Sequence, residues 1–180
     1  MASPLRYALV ELVNLHDEAL VFEPIHRILF GLAPGASLFD RMNEFYCGRC
    51  RTAAVNDPEA LKAAVDGQKE GSHKIGLVTA SGFEVIEVEG PDSNLPVGTL
   101  QNFLDVFIKN KGAREIDYVH GAETVVALAR KAGNAGFYLP AMKKEDLFKT
   151  VILDGALPRK TFSMGEAREK RFYMETRRLT

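Results

Sequence analysis

Apolar side chains recur at helical spacing in the second half of the chain. Leu100, Phe103, Leu104, Phe107 and Ile108 follow one another at steps that place all five on one side of a helix. The intervening positions are mostly polar or small. This pattern predicts a helix that buries one face against a core.

Runs of β-favouring residues predict several strands. Two of them, at 74–79 and 83–88, flank the turn-forming residues 80–82 and predict a β-hairpin. Near the start of the chain, residues 6–13 are mostly apolar and predict a buried strand. Residues 20–22 predict a second strand, which we expect to pair with the first as another hairpin.

End signals mark the remaining helices. In the helix predicted at 57–66, Asp57 is a typical N-cap, Pro58 suits the first helical position and Gly67 follows the last. Other predicted helices lie at 37–46, 122–132 and 144–153, and other predicted strands at 115–119 and 136–139. Residues 162–178 allow two interpretations, a helix with Ser163 and Glu166 as its capping box or an edge strand at 171–177.

The order of these elements predicts the fold class. Strands that alternate with helices of this length are typical of an α/β domain, in which helices pack on a parallel or mixed sheet. An α+β arrangement is the alternative. No linker or repeat divides the chain, so we expect one domain spanning residues 1–180.

Composition and charge narrow the classes of function. The 180 residues are 46% hydrophobic and 26% charged, enough apolar material for a packed core. A net charge of −1 disfavours a general nucleic-acid binder. Residues 159–180, however, carry seven basic and three acidic side chains, which indicates a local site for an anionic ligand. No membrane segment or signal peptide is recognisable, so we expect a cytoplasmic protein.

Several common catalytic signatures are absent from the sequence. It contains no phosphate-binding P-loop, no Gly-x-Gly-x-x-Gly fingerprint, no His-Glu-x-x-His motif and no Gly-x-Ser-x-Gly motif. The most frequent nucleotide-binding, zinc-protease and serine-hydrolase families are therefore excluded. Enzymes as a class are not.

Cys47 and Cys50 form a Cys-x-x-Cys pair, which occurs in redox sites and as half of a zinc site. A redox pair normally begins a helix, whereas this one follows the end of a predicted helix. There is no second pair to complete four zinc ligands. We therefore interpret both as ordinary thiols and predict no metal site.

The segment from Glu23 to Arg27 is the first candidate for chemistry. Pro24 holds the backbone extended, His26 can exchange a proton near neutral pH, and Arg27 can form two hydrogen bonds to a phosphate or carboxylate. The alternative is structural, with Glu23 and Arg27 as a local ion pair and His26 capping a turn.

Residues 157–165 are the second candidate. Arg159, Lys160, Thr161 and Ser163 bring two cations and two hydroxyl groups into one short loop that ends at Gly165. Phosphate and carboxylate sites need such donors and an unobstructed backbone. A solvated basic loop without a ligand is the alternative.

Long motifs in the sequence resemble the bacterial family catalogued as domain of unknown function 1015. They are Arg6-Tyr-Ala-Leu-Val-Glu-Leu-Val-Asn-Leu-His-Asp-Glu18, Phe22-Glu-Pro-Ile-His-Arg27, Pro158-Arg-Lys-Thr-Phe-Ser-Met-Gly-Glu-Ala167 and Lys170-Arg-Phe-Tyr-Met-Glu175. Members of that family are longer and carry a Gly-Asp-Gly-Asn-His-Ser or similar motif upstream. The resemblance therefore implies that this chain corresponds to the C-terminal part of such a protein.

The upstream motif of the family is similar to the phosphate-contacting box of ParB-like domains, which include nucleotide-using clamps and kinases of free serine. By this analogy the whole protein is a nucleotide-dependent enzyme acting on a small molecule, with ATP or ADP and Mg²⁺ as cofactors. His26 is then the expected general acid or base. The expected phosphate or substrate ligands are Arg27, Arg159, Lys160, Thr161 and Ser163.

Three functions follow as competing hypotheses. The first is a phosphate-handling enzyme, with Asp17, Glu18 or Glu23 available as a magnesium ligand. The second is a non-catalytic module that forms a homodimer or packs against a missing N-terminal half, and it predicts an exposed apolar face. The third is DNA binding through the basic C-terminal residues, which the near-neutral net charge disfavours.

Overall fold

The computed structural model describes residues 12–35 and 37–165. The strands are β1 (Phe22–Pro24), β2 (His26–Leu32), β3 (Cys50–Val55), β4 (Ser72–Thr79), β5 (Gly82–Glu89), β6 (Ala113–Val119), β7 (Ala135–Tyr138) and β8 (Phe162–Met164). The helices are α1 (Leu38–Phe45), α2 (Pro58–Asp66), α3 (Pro96–Lys109), α4 (Ala122–Ala129) and α5 (Asp146–Asp154).

Six strands form one sheet in the order β3-β5-β4-β7-β2-β6, and β1 pairs with β8 in a small second sheet. The prediction of a single α/β domain with helices packed on a sheet is confirmed. Every strand pair in the described part of the chain is antiparallel. β6 and β7, joined by α4, do run in the same direction, but β2 lies between them.

Helices cover both faces of the six-stranded sheet. On one face, α1 and α3 pack on a cluster that includes Leu29 and Ile75. On the other, α2 and α4 pack on a cluster that includes Ile28 and Val78. Successive residues of a strand point to opposite faces, so the neighbours Ile28 and Leu29 belong to different clusters.

Local signals account for the helix ends. The Asp57 carboxylate accepts a hydrogen bond from the Ala60 amide at 2.7 Å, and Pro58 begins α2 as predicted. Similarly, the Ser37 hydroxyl accepts a hydrogen bond from the Asp40 amide at 3.2 Å at the start of α1. The predicted apolar face of α3 is also confirmed, and its buried residues pack beneath the sheet.

Three strands, β2, β3 and β8, were not predicted, and β2 is central to the site described below. β8 lies in the segment that was interpreted as a helix or as an edge strand at 171–177. β2 was missed because Pro24 and the polar residues His26 and Arg27 interrupt the apolar pattern. β3 was missed because four of its six residues are exposed, so it lacks an apolar run. In addition, α4 ends at Ala129 rather than at residue 132.

The predicted hairpin near the start of the chain is not formed by the residues that the structure describes. Leu12 and Val13 are exposed and lie outside any strand, and residues 6–11 lie outside the described part. β1 pairs instead with β8, where Phe22 stacks on Phe162 with ring centroids 4.0 Å apart. A capping box beginning at Ser163 is wrong, because Ser163 lies in β8. The alternative edge strand at 171–177 lies outside the described residues.

Within the described ranges, no helix combines the length and apolarity needed to cross a membrane.

Candidate functional site

His26 and Arg27, the first two residues of β2, are directed to opposite faces of the sheet. Arg27 is on the α3 side, where its guanidinium lies 5.2 Å from the centre of the Tyr118 ring. His26 is on the other side, stacked on Tyr138 with ring centroids 4.6 Å apart. They therefore cannot both contact one small ligand, because the strand itself lies between them.

The Arg27 guanidinium is wholly buried and fully engaged by the protein. Nε donates to Gln101 Oε1 at 3.3 Å and Nη2 donates to the backbone carbonyl of Arg159 at 3.0 Å, while Nη1 donates to the carbonyl of Ile25. Burial lowers the pKa of Arg27 to about 10, so it remains charged at neutral pH. In this position it holds the loop of Arg159 against α3.

Asp105 of α3 completes this attachment. Its Oδ1 atom accepts hydrogen bonds from Gln101 at 2.8 Å and from Arg159 Nη2 at 2.9 Å. The Arg159 guanidinium also lies 5.8 Å from the centre of the Tyr118 ring, which Arg27 contacts as well. The loop is thus attached to the sheet and to α3 through both the backbone carbonyl and the guanidinium of Arg159.

The other predicted residues of this loop differ in accessibility. Arg159 and Lys160 are exposed, and Lys160 adopts a positive φ of 56°. Thr161 is buried, and its hydroxyl donates to the Pro158 carbonyl at 2.6 Å. Ser163 is buried in β8 opposite Glu23. Lys160 is therefore an exposed cation of the loop, whereas Arg159 is paired with Asp105 and both hydroxyl residues are buried in the folded loop.

His26 is buried and neutral. Its Nδ1 atom accepts a hydrogen bond from the Leu139 amide at 3.1 Å, which leaves the ring proton on Nε2. Burial, reinforced by the charges of Arg27 and His120, lowers the pKa of His26 to about 4. At neutral pH the ring is a hydrogen-bond donor through Nε2.

His26 contributes to the wall of a cleft of about 480 Å³ between β1, the ends of β2 and β7, α2 and the start of α4. Tyr138 donates a long hydrogen bond of 3.4 Å to Asp66. Burial and the Asp66 charge raise the pKa of Tyr138, so its phenol stays protonated. Lys62 and Glu23 also line the cleft, which therefore combines one cation with two carboxylates.

The N-terminal end of α4 opens into the same cleft through Gly121 and Ala122. Gly121 adopts a φ of 80°, and no side chain in the described part of the chain caps the helix. Unpaired amides and the helix dipole favour negative charge at such an end. Together with Lys62 and the Nε2 proton of His26, they form a set of donors suited to phosphate oxygens.

The same cleft has ligands that suit a nucleotide-bound magnesium ion. The described residues contain no group of three or more metal-ligating side chains, so they form no complete protein cage. Mg²⁺, however, usually takes one or two carboxylates and completes its shell with phosphates and water. Glu23 and Asp66 fit that requirement, whereas Asp17 and Glu18 are exposed and do not line the cleft.

Sequence reasoning missed Lys62, Asp66 and Tyr138. The spacing of Lys62 and Asp66 at i and i+4 on a well-marked helix could have placed them on one face. No local signal connects Tyr138 to His26, since β7 reaches β2 only through sheet pairing.

Cys47 and Cys50 lie outside both groups of candidate residues. Cys47 is exposed with a φ of 53°, whereas Cys50 is buried at the start of β3, and both thiols are free. The Cys50 thiol donates to the Met42 carbonyl at 3.7 Å, and burial raises its pKa to about 11. Cys50 therefore has the character of a packed, unreactive thiol.

Two solved structures share the fold. A mutant of a free serine kinase in complex with AMP is 13% identical, with a TM-score of 0.59 over 85% of this chain and 57% of that one. A conserved hypothetical protein from Pyrococcus furiosus is 14% identical, with a TM-score of 0.59 over 86% of this chain and 60% of that one. This chain thus spans less than two thirds of either protein. No curated protein sequence matches it.

A family model also matches residues 1–107, and its description is protein of unknown function (DUF1015). This match begins at residue 1 and gives no support to the expectation that the chain is the C-terminal portion of a family member. It covers more than half of the chain, which therefore belongs to the family of proteins of unknown function DUF1015.

Proposed function

We propose that this chain is part of a phosphate- or nucleotide-handling enzyme that acts on a small molecule, with its ligand in the cleft beside His26. The observation that carries the proposal is the juxtaposition of a lysine, a free helix N-terminus and two carboxylates around one cavity. The fold shared with a free serine kinase that binds AMP supports the same class of activity.

Phosphate oxygens would be held by the cationic side of the cleft. Lys62 neutralises charge, and the first amides of α4 donate hydrogen bonds. His26 donates from Nε2 rather than acting as a general acid or base. Proton uptake at Nδ1 would break its hydrogen bond with Leu139, and the ring stays neutral at physiological pH.

The carboxylate side would hold the cofactor's metal. Glu23 and Asp66 are the residues that would ligate Mg²⁺ delivered with ATP or ADP. When bound, that ion neutralises phosphate charge and orients the transferring group. Tyr138, protonated and stacked on His26, forms part of the cleft wall.

The loop of residues 159–163 contributes a second set of cations. β8 pairs with β1, whose Glu23 lines the cleft, but the loop itself is held on the α3 side of the sheet by Arg27 and Asp105, and its residues do not line the cleft. The exposed Arg159 and Lys160 would attract an anionic ligand through their charge rather than contact phosphate in the cleft. Thr161, Ser163 and Arg27 hold the loop in place instead of contacting the ligand.

Calorimetric titration with AMP, ADP and ATP, with and without Mg²⁺, tests the proposal. Lys62→Gln should weaken nucleotide binding about tenfold, because it removes one charged hydrogen bond. Lys69→Gln, an exposed lysine beyond the same helix, is the matched control and should bind like the parent.

A second variant tests the loop. Arg159→Ala with Lys160→Ala should also weaken nucleotide binding, while Arg130→Ala with Lys131→Ala removes two exposed cations elsewhere and should not. If the parent binds none of the three nucleotides, or if both lysine variants bind equally, the cleft is not a nucleotide site.

An exposed apolar surface supports a second candidate function, a non-catalytic dimerisation module. On α5, Phe148, Ile152 and Leu153 are exposed by 64%, 80% and 64%. Such a surface is typical of protein contacts. If this candidate is correct, the parent will be a dimer in analytical ultracentrifugation and Ile152→Asp a monomer. A parent that is monomeric at 100 μM would contradict it, because a dissociation constant of about 100 μM is the weakest worth considering for a dimer of this kind.

DNA binding remains a prediction, because most of the basic residues that suggested it lie outside the described part of the chain. A gel-shift assay at low salt, where phosphate contacts are strongest, distinguishes it from the other two functions.

A further inference from the structure

A second cavity, of about 420 Å³, lies where α1 and α3 meet the end of β2 and the turn before β6. It is at the opposite end of β2 from His26. Seven residues of extended strand separate the two positions by about 20 Å. Phe103 and Phe107, which line it, belong to the cluster on the α3 face, whereas Tyr138 of the cleft belongs to the other. The two cavities are therefore independent sites.

Aromatic side chains form one wall of this cavity. Phe45 and Phe103 meet edge to face with ring centroids 5.9 Å apart, and Phe103 and Phe107 are 5.3 Å apart. Phe45 is 37% exposed and the neighbouring Val106 is 42% exposed. Apolar surface of these two residues is thus left open to water in front of the buried Phe103 and Phe107, and an exposed ring is a surface that another planar ring packs against.

Two cationic residues, Arg41 and Lys111, line the same cavity as the aromatic side chains. Arg41 makes a loose ion pair with Glu44 at 3.6 Å, and more than half of each side chain is exposed. The Lys111 ammonium has no hydrogen-bond or ion-pair partner among the described residues. With Glu44 counted, the charged side chains of the wall carry one net positive charge, which complements an anion.

The backbone holds Lys111 at this position. Lys111 adopts a φ of 58°, and Gly112 follows with its amide donating to the Phe107 carbonyl at 2.9 Å. A Cβ atom at Gly112 would lie 2.5 Å from the Phe107 ring, so only glycine lets the turn close against that ring. The backbone of Lys111 is therefore fixed next to the aromatic side chains, and its ammonium extends from this point.

We infer that this cavity binds a small planar aromatic carboxylate. The ring packs against Phe45, Phe103 and Phe107, and the carboxylate pairs with Lys111 and Arg41. The ligand needs both the aromatic ring and the negative charge. An aliphatic anion would not fill the aromatic wall, and a neutral aromatic ligand would leave both cations unpaired.

Titration of the 180-residue chain with 2-naphthoate, followed by calorimetry, tests this inference. We expect saturable 1:1 binding. The uncharged analogue 2-naphthamide and the non-aromatic cyclohexanecarboxylate should each bind about tenfold more weakly. Lys111→Gln should weaken 2-naphthoate binding about threefold, as expected for one partly exposed ion pair, and Phe45→Ala about tenfold.

Matched controls separate the cavity from general surface effects. Lys109→Gln removes an exposed lysine of α3 outside the cavity, and Phe148→Ala removes an exposed phenylalanine of α5. Both should bind 2-naphthoate like the parent. The inference is overturned if the parent shows no saturable binding, if 2-naphthamide binds as tightly as 2-naphthoate, or if the control variants lose as much affinity as Lys111→Gln. Because Lys111 is exposed, its variant keeps the test valid even if Phe45→Ala fails to fold.

Discussion

His26 and Arg27 are adjacent in the chain, but a β-strand separates their side chains. His26 stacks on Tyr138 in the cleft beside α4, and Arg27 is buried against α3, where it holds the loop of Arg159. Only His26 of this pair is in a position to meet a ligand. Arg27 instead holds the loop that carries the exposed side chains of Arg159 and Lys160.

Replacement of Arg27 tests its structural role. Arg27→Leu should lower the free energy of unfolding by about 3 kcal/mol, because it leaves Gln101 and two backbone carbonyls without their buried donor. Urea denaturation measures this change. Arg114→Leu, an exposed arginine in β6, is the matched control and should change stability by less than about 0.5 kcal/mol.

The same variant should also release the loop. Trypsin cleavage after Arg159 and Lys160 under native conditions should become faster in Arg27→Leu than in Gly136→Ala, which is expected to destabilise the fold elsewhere. Equal cleavage at matched stability would mean that Arg27 contributes to the core but does not hold the loop.

The buried His26 and the half-buried His73 predict a loss of stability in mild acid. Burial lowers the pKa of both His26 and His73 to about 4, whereas each titrates near 6.5 in the unfolded chain. The unfolded state therefore binds more protons between pH 6.5 and 4. Stability is complete above pH 6.5 and falls as the pH decreases through this interval.

His26→Asn isolates one of these contributions, because its carboxamide oxygen can still accept from the Leu139 amide. Between about pH 6 and 5 its stability should depend on pH less steeply than that of the parent, by about 1 kcal/mol per pH unit. Denaturation at each pH measures this slope. Parallel curves for the two proteins would contradict burial of a neutral His26.

Close packing of α4 on the sheet predicts a cost for any side chain at position 136. A Cβ atom at Gly136 would lie 2.7 Å from Ala129 Cβ and 2.8 Å from Val125 Cγ1. Gly136→Ala should therefore lower stability by about 2 kcal/mol, because α4 must move away. Gly67→Ala is the control with a smaller expected change, since its nearest neighbour is a carbonyl oxygen at 3.3 Å. An unchanged Gly136→Ala would show that α4 is not packed this closely.

The two cysteines should differ in reactivity. Cys47 is exposed and Cys50 is buried with a pKa raised to about 11, so Ellman's reagent should modify one thiol quickly in the native protein and both in denaturant. Cys47→Ser should remove the fast phase and Cys50→Ser should retain it. Rapid modification of two thiols in the native parent would contradict the burial of Cys50.

Sequence patterns were sufficient to predict the helices and turns that depend on residues close together in the chain. The N-cap at Asp57, the hairpin between β4 and β5 and the apolar face of α3 follow from residues close together in sequence, and each is confirmed. β2 was missed because its first residues are charged or polar, although they and the two residues after them are fully buried. Had β2 been recognised as a strand, the alternation of its side chains would already have separated His26 from Arg27.

The candidate site was only partly accessible from sequence. The segments at 23–27 and 159–163 were recognised as unusual. The pairing of β1 with β8, the donation of Arg27 to the Arg159 carbonyl and the approach of Tyr138 to His26 depend on contacts between residues more than 100 positions apart. Chain spacing carries no information on such contacts.

The sequence by itself determined the α/β class, most helix and strand positions and the residue types available for binding, since these depend on short-range hydrophobic periodicity and capping. Only the tertiary structure decided which of those residues share a cavity. Register and strand order place Lys62, Asp66 and Tyr138 around His26, and they bury Arg27 among other protein groups. Burial and long-range strand pairing arise only when the sheet assembles. They decide whether a polar side chain is available to a ligand or is engaged in stabilising the fold.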